Sequence, residues 1–188
     1  MPNYCDFNMH VRGRKEDIDE FIGVMLDYDL PRHFWRVFEA EQTLCHTDEN
    51  NMTVVYIDGY CAWSVYTCMC TGVHTYANDV AEERRTSLQK ESERLNLDIE
   101  VYSDEPGVGF QEHYLYKNGK EIISDCVDCA HICFEEIPGE SDEEKAKRFE
   151  EFKSECPIEI EAPLDEFDCD NGYYEIVVGG YNPWKFSF

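Results

Sequence analysis

The segment around residue 126 carries the side chains best suited to metal or redox chemistry. Cys126 and Cys129 form a Cys-x-x-Cys pair, and His131 and Cys133 follow closely. A zinc site needs four ligands in a tetrahedral arrangement, which this segment and a distant cysteine pair could supply. A redox Cys-x-x-Cys belongs instead at a helix N-terminus, where the dipole lowers a thiol pKa. The local pattern is that of a strand, which sends Cys126 and Cys129 to opposite faces and favours reduced, buried thiols.

A second candidate for chemistry is the neighbouring pair Glu112 and His113. His113 could act as a general base beside an acidic partner, although a histidine in a sheet is more often a structural hydrogen-bonding group. No nucleophile–base spacing, P-loop, dinucleotide fingerprint or His-Glu-x-x-His motif accompanies the pair. The sequence therefore favours a non-enzymatic protein, with Glu112 and His113 as the catalytic candidates if it is an enzyme.

The net charge excludes several classes of partner. The chain of 188 residues has 16 basic and 41 acidic side chains, for a formal charge of −25. Such a surface repels nucleic acid and anionic membranes, so we expect no direct contact with either. No apolar run approaches the roughly 20 residues of a membrane span, and the first residues lack the pattern of a signal peptide. We therefore expect a cytoplasmic protein whose 10 cysteines are reduced.

The acidic side chains are concentrated in the second half of the chain, with 18 acids and four bases between residues 121 and 170. Duplex DNA carries about one negative charge per 1.7 Å of its axis, so a rigid acidic face can occupy a nucleic-acid channel. Hydrophobic anchors are needed too, because charge mostly supplies steering. The alternative is an acidic surface that only keeps the protein in solution. The predicted partner-binding residues are Asp142, Glu143, Glu144, Glu150, Glu151, Glu159, Glu161, Asp165, Glu166, Asp168, Trp184 and Phe186.

Hydrophobic periodicity predicts the elements that position these residues. Alternation from Tyr4 to Val11 indicates a strand, and apolar residues at helical spacing follow Lys15. Ser141 and Glu144 form a capping box that opens a third helix, and Asn118-Gly119 is a hairpin turn. Residues 59–70 fit either a strand or a helix. The remaining predictions are strands at 33–38, 53–57, 99–103, 110–116, 121–126 and 173–178, and a helix within 79–95.

The order of these elements predicts the fold class. Strand–helix–strand–strand–helix–strand with a terminal hairpin is typical of a ferredoxin-like split βαβ, an α+β fold with two helices on one face of an antiparallel sheet. A shift in composition near Pro138 divides the chain into a ferredoxin-like domain, residues 1–137, and an acidic helix and strand extension, residues 138–188. The aromatic residues near the end, including Trp184 and Phe186, either pack back on the sheet or meet a partner.

The opening of the chain resembles a known family. Residues 1–5 read Met-Pro-Asn-Tyr-Cys and residues 8–13 read Asn-Met-His-Val-Arg-Gly. This start is similar to that of YubB-type (Api-ninety-two-like) ferredoxin-like domains, and residues 59–64 and 109–114 resemble segments of a phage and mobile-element subgroup. The Trp-Gly-Thr-Lys-Trp segment usual in the wider family is absent. The resemblance implies a ferredoxin-like fold and a mobile-element protein in the cytosol of a bacterial host.

Charge, the lack of catalytic motifs and this resemblance together predict a function. We expect a non-enzymatic accessory protein that mimics nucleic acid and inhibits a host nucleic-acid-processing or defence enzyme by binding its basic surface. The alternative is a small enzyme or metal-binding protein with a site around His113 and the cysteines. A self-associating structural module is a third reading. No cofactor is required by the first prediction, and zinc is the cofactor of the second.

Overall fold

The computed structural model describes residues 3–27, 29–48, 51–71, 84–156, 160, 164, 169–170, 172–181 and 184–188. Strands predominate among them. They are β1 (Tyr4–Arg14), β2 (Val37–Thr47), β3 (Met52–Ala62), β4 (Asp98–Glu105), β5 (Phe110–Lys117), β6 (Lys120–Glu135), β7 (Cys169–Asp170) and β8 (Tyr173–Gly179). The helices are α1 (Lys15–Leu26), α2 (Leu88–Leu95), α3 (Asp142–Glu155) and a π-helix (Tyr66–Cys70).

All of these strands join one antiparallel sheet, in the order β2-β3-β1-β4-β5-β6-β8-β7. Strands make up 47% of the structure, and the sheet curls into a half-barrel. The predicted ferredoxin-like, two-helix α+β class is therefore wrong. The reason is that β4 does not end the sheet, because its outer edge pairs along its whole length with β5. The second half of the chain thus extends the first sheet and satisfies the backbone groups of an otherwise open edge.

The main core lies between the sheet and the helices α1 and α2. Cys5, Phe7, Met9 and Val11 of β1 are buried on this side, as the alternation of the strand predicts. Each fully buried side chain of the larger apolar types contributes about 1.5–3 kcal/mol. The residues of α1 that pack against them are Ile18, Phe21, Val24 and Met25.

The long strand β6 connects the two halves of the sheet. It pairs with β5 as far as Asp128 and with β8 from Cys129 onward. Its second half contributes Phe134 to a separate small core together with Phe149 of α3 and Ile176 of β8. The capping box predicted at Ser141 is confirmed, with Glu144 bonded back to the Ser141 backbone. The segment on either side of residue 138 therefore packs into one cluster.

Several elements differ from their predicted bounds. Residues 33–36 are not a strand, because Arg36 has a positive φ of 46° that interrupts the extended backbone, and β2 begins only at Val37. Residues 59–70, for which the sequence left two options, contain the end of β3 and then the π-helix. The second predicted helix starts at Leu88, after Ser87 accepts a hydrogen bond from the Lys90 backbone. Within the part of the chain that the structure describes, no helix has the length and apolar character needed to cross a membrane.

Candidate metal centre

The candidate site lies on the sheet face opposite α1 and α2. The register of β1 and β4 places Asp6 directly opposite Asp104 on this face. Strand β6 runs past the start of β5, where the Cys129 backbone N–H donates to the Gly109 carbonyl at 3.0 Å. Beyond that point, β6 brings Cys129 and His131 beside the end of β4. The site therefore depends on three strands that are distant from one another in sequence.

Asp104, Cys129 and His131, here called the metal triad, bring three ligand atoms within 4.8 Å of one another. Oδ1 of Asp104 lies 2.9 Å from Nε2 of His131 and 3.8 Å from Sγ of Cys129. Zinc bond lengths of about 2.0–2.3 Å place tetrahedral N and O ligands about 3.3 Å apart, and S and O ligands about 3.5 Å apart. The two Asp104 separations are therefore within about half an ångström of those in a tetrahedral site, and the separation between Cys129 and His131 is at most 4.8 Å.

Glu175 of β8 orients the imidazole of the triad. Its Oε1 lies 2.8 Å from Nδ1 of His131, on the ring edge away from the other two ligands. A carboxylate that accepts Nδ1–H fixes the tautomer and leaves Nε2 for a metal, as in most histidine metal sites. Burial alone would lower the pKa of His131, but hydrogen bonds to Glu175 and Asp104 raise it overall. A metal ion that binds Nε2 therefore displaces a proton.

The thiol of the triad and a neighbouring carboxylate both have raised pKa values. Burial and then Asp104 raise the pKa of the Cys129 thiol to about 11. Burial, reinforced by Asp104 and Glu175, raises the pKa of Asp6. Opposed residues on one face of an antiparallel pair have Cβ atoms about 4.5–5.5 Å apart, so Asp6 adds a further carboxylate beside Asp104. Two carboxylates thus contact one imidazole and a third lies nearby, so a divalent cation would lower the repulsion among them.

The structure brings together two of the four predicted metal ligands. Cys129 and His131 share a face of β6, and Asp104 completes the group. Cys126 points to the opposite face, where it is exposed and lies across from Glu112 of β5. Cys133 is on the face of the triad but further along β6, and it is also exposed. The alternation of an unbroken strand explains why the Cys-x-x-Cys pair does not close around one ion.

The two predicted catalytic residues lie on opposite faces of β5, as adjacent strand residues must. Glu112 is buried and accepts hydrogen bonds from the backbone N–H of Val65 at 2.8 Å and of Tyr66 at 3.3 Å. Ser103 and Tyr114 donate to it as well. Burial raises the pKa of Glu112, and the four donors oppose that rise. Through these backbone hydrogen bonds, Glu112 therefore holds the start of the π-helix against the sheet.

His113 faces the same side of the sheet as the metal triad. Its Nε2 lies 2.8 Å from Oε1 of the buried Glu100, and its ring stacks on Tyr102 at 3.9 Å between centroids. Residues 184–188, here called the strap, lie across this pair. Trp184 stacks on Tyr102 and Phe186 stacks on His10, so both predicted anchors pack on the chain's own sheet.

The predicted acidic contacts fall into two groups. Those in α3 are exposed, in keeping with the polar outer face of a helix that buries mainly Phe149. They are Asp142, Glu143, Glu144, Glu150 and Glu151. The others lie outside the described residues, and they are Glu159, Glu161, Asp165, Glu166 and Asp168.

Sequence reasoning missed Asp104, Glu175 and Asp6. Each is one carboxylate among 41 acidic side chains, so residue type alone could not single it out. The spacing of Cys129 and His131, two residues apart on a strand, was the one local signal that both face the same way. Pairing of β6 with β8, and its passage beside β4, supplies the rest of the site.

Comparison of the chain with protein-family profiles, curated proteins and solved structures found no match. The resemblance of its opening residues to YubB-type domains therefore stays a prediction. The site has to be interpreted from its own ligand atoms, their separations and the groups that orient them.

Proposed function

We propose that the protein binds a transition-metal ion of the zinc class through Asp104, Cys129 and His131. The observation that supports this function is the convergence of a carboxylate, a thiol and an imidazole within 4.8 Å. Mg²⁺ and Ca²⁺ prefer sites made of oxygen ligands, whereas a thiol with an imidazole suits Zn²⁺ and its neighbours in the first transition row. Asp6 or a water molecule would take the fourth position.

The orientation of His131 supports the same proposal. The Glu175 carboxylate lies at Nδ1 of His131, so Nε2 is the ring nitrogen that remains for a metal. Nε2 is directed at Asp104. The cost of deprotonating the Cys129 thiol, whose pKa lies near 11, is met by the cation itself, because a bound metal favours the thiolate. The role of this ion would be structural or catalytic according to whether Asp6 or water occupies the fourth position.

Metal titration tests this function. We expect the full chain, stripped with a chelator, to bind one equivalent of Co²⁺ and to show a thiolate-to-cobalt charge-transfer band that Zn²⁺ abolishes. A salt concentration near 150 mM and excess Mg²⁺ suppress nonspecific binding to the acidic surface. Cys129→Ser should abolish the band, whereas Cys133→Ser, on the same strand and face, should leave it intact. Absence of the band, or its persistence in Cys129→Ser, would refute the proposal.

A second candidate is the predicted acidic mimic of nucleic acid that inhibits a host enzyme with a basic surface. The exposure of the acidic side chains of α3 and the net charge of −25 favour it. Glu151→Lys with Glu155→Lys tests it, because basic residues at a helix C-terminus are compatible with the dipole and should preserve the fold. We expect the double variant to lose partners that wild type captures from a nuclease-treated bacterial lysate at about 50 mM salt. Equal capture by both proteins would exclude this face of α3 as the contact.

A further inference from the structure

The strap is held on the sheet by side chains that recognise its backbone. Tyr102 donates its hydroxyl to the Lys185 carbonyl at 2.9 Å, and His10 Nδ1 lies 2.9 Å from the Phe188 carbonyl oxygen. The backbone N–H of Ser187 donates to Glu100 at 2.5 Å. The described residues of the strap form no strand pairing. Contacts of this kind can bind any extended peptide, since they are made to main-chain groups rather than to one particular side chain.

Specificity comes from aromatic rings at alternate positions. Trp184 stacks on Tyr102 with centroids 5.6 Å apart, and Phe186 stacks on His10 at 3.5 Å. The Arg12 guanidinium lies 4.9 Å from the centroid of Phe188. Alternate residues of an extended chain point the same way, so these rings face the sheet together. The face therefore selects an aromatic–x–aromatic–x–aromatic segment.

The polar groups beneath the strap are held in place by the sheet itself. Glu100 is fully buried and bonds to His113, whose ring is stacked on Tyr102. Ser187 adds a hydroxyl donor to Glu100 at 2.9 Å. Glu100 therefore presents a fixed carboxylate acceptor to the backbone N–H of a peptide that lies on this face. The recognition groups sit on β1, β4 and β5, and are thus preorganised for a ligand.

We propose that this face is a peptide-binding groove whose ligand is an extended segment of another protein, with aromatic residues at alternate positions and serine before the last of them. The strap is the intramolecular occupant that such a segment displaces. The partner segment should carry a basic residue between its aromatic ones, as the strap does at Lys185, because the chain has a charge of −25. This inference does not depend on the metal triad.

Displacement of the strap by another peptide should depend on the tether, the short segment 180–183 that links β8 to the strap. Gly179 and Gly180 connect β8 toward the strap and both have positive φ, of 82° and 73°. A short tether gives the strap an effective concentration on the order of 1 mM. If the strap sequence binds the empty groove with a Kd of about 10 µM, a separate peptide of the same sequence would then show an apparent Kd about 100-fold weaker. Weakening the strap should recover most of that loss.

The test measures binding of a fluorescent, amidated peptide Trp-Lys-Phe-Ser-Phe to full-length variants by anisotropy. Trp184→Ala with Phe186→Ala weakens the strap, and Phe38→Ala with Tyr66→Ala is the matched control, since those two rings are exposed and do not contact the strap. We expect at least about tenfold tighter binding by the double variant than by wild type or the control. Adding Tyr102→Phe to the double variant removes one backbone contact and should weaken binding several-fold. Circular dichroism confirms that each variant is folded.

Three results would overturn the inference. One is equal affinity of the folded double variant and wild type for the peptide. Another is binding that Tyr102→Phe leaves unchanged, which would place the peptide elsewhere. The third is a concentration-dependent dimer of the wild-type protein that Trp184→Ala with Phe186→Ala abolishes, without peptide binding by any variant. That result would assign the groove to the strap of a second copy.

Discussion

Replacing Glu175 by glutamine gives a sharp test of the metal centre, because it changes the orienting group without touching a ligand. The carboxylate lies 2.8 Å from Nδ1 of His131 and is exposed, so the substitution leaves no cavity. The amide of glutamine can still accept Nδ1–H through its oxygen, but it carries no negative charge. It also has an NH₂ group that can meet Nδ1 instead and favour the wrong tautomer.

The expected loss follows from the position of Glu175 outside the triad. Groups that orient a metal-ligating histidine typically contribute 10- to 100-fold in affinity. Glu175 is more than half exposed, with a relative side-chain accessibility of 58%. Solvent screening therefore favours the lower end of that range, and we expect about a tenfold weaker Zn²⁺ affinity, equal to about 1.4 kcal/mol.

Competition between the protein and a zinc-sensitive chelating dye measures this difference at pH 7. Glu41→Gln is the matched control, because Glu41 is an exposed carboxylate on the distant strand β2. It removes the same charge from the protein and should leave the affinity within a factor of two. Equal affinities for Glu175→Gln and Glu41→Gln would refute the assigned role of Glu175 and leave only a general effect of charge.

Three more outcomes follow from the described contacts. Cys126→Ser should leave Zn²⁺ affinity unchanged, since Cys126 faces away from the triad; a loss comparable to that of Cys129→Ser would contradict the geometry. Phe149→Ala should lower the free energy of unfolding by about 3 kcal/mol, measured by urea denaturation, because Phe149 is the buried residue of α3; the exposed Phe38→Ala is its control. Burial lowers the pKa of His10 despite opposing effects of the Phe188 carbonyl and Glu100. His10 therefore stabilises the fold above its unfolded pKa of about 6.5, and this contribution is lost as the pH falls, so wild type should lose more stability between pH 7 and 5 than His10→Gln.

Local chemistry predicted those elements whose signals lie within a few residues. The alternation from Tyr4 to Val11 predicts a strand, and β1 is confirmed there with its apolar side buried. Ser141 and Glu144 cap α3 as their spacing predicts, because both partners of a capping box are in one turn. The Asn118-Gly119 turn joins β5 and β6, with positive φ at both residues.

The fold class was wrong because it depends on long-range pairing. The predicted strand 121–126 is the first part of β6, which runs from Lys120 to Glu135. Its continuation turns Ile132 and Phe134 toward the small core, but it carries Cys129, His131 and Cys133 on the other face and has no run of strongly apolar residues. Hydrophobic periodicity therefore ends before the strand does. That missed continuation is the segment that pairs with β8 and extends the sheet.

The same missed continuation explains what was found of the site. Cys129 and His131 were candidates because cysteine and histidine are rare enough for their proximity to be informative. Cys126 belongs to the same motif, but the motif alone does not say which side of the sheet each residue faces. In the strand, Cys126 lies on the side opposite Cys129 and His131. Asp104 could be identified only from the passage of β6 beside the end of β4, which no local pattern encodes.

The acidic composition has different consequences in the two candidate functions. Carboxylates on α3 face solvent, where salt screens them, and any partner they attract should leave as ionic strength rises. Asp104 and Glu175 instead contact one imidazole, and Asp6 lies close enough for both to raise its pKa. A bound cation would relieve the repulsion among these three carboxylates far more than salt does. Chelation should therefore change the protein at a salt concentration that already abolishes binding through α3. If a chelator has no effect on the protein at any salt concentration, metal binding is refuted, and the acidic surface of α3 is the one of the two candidate functions that remains.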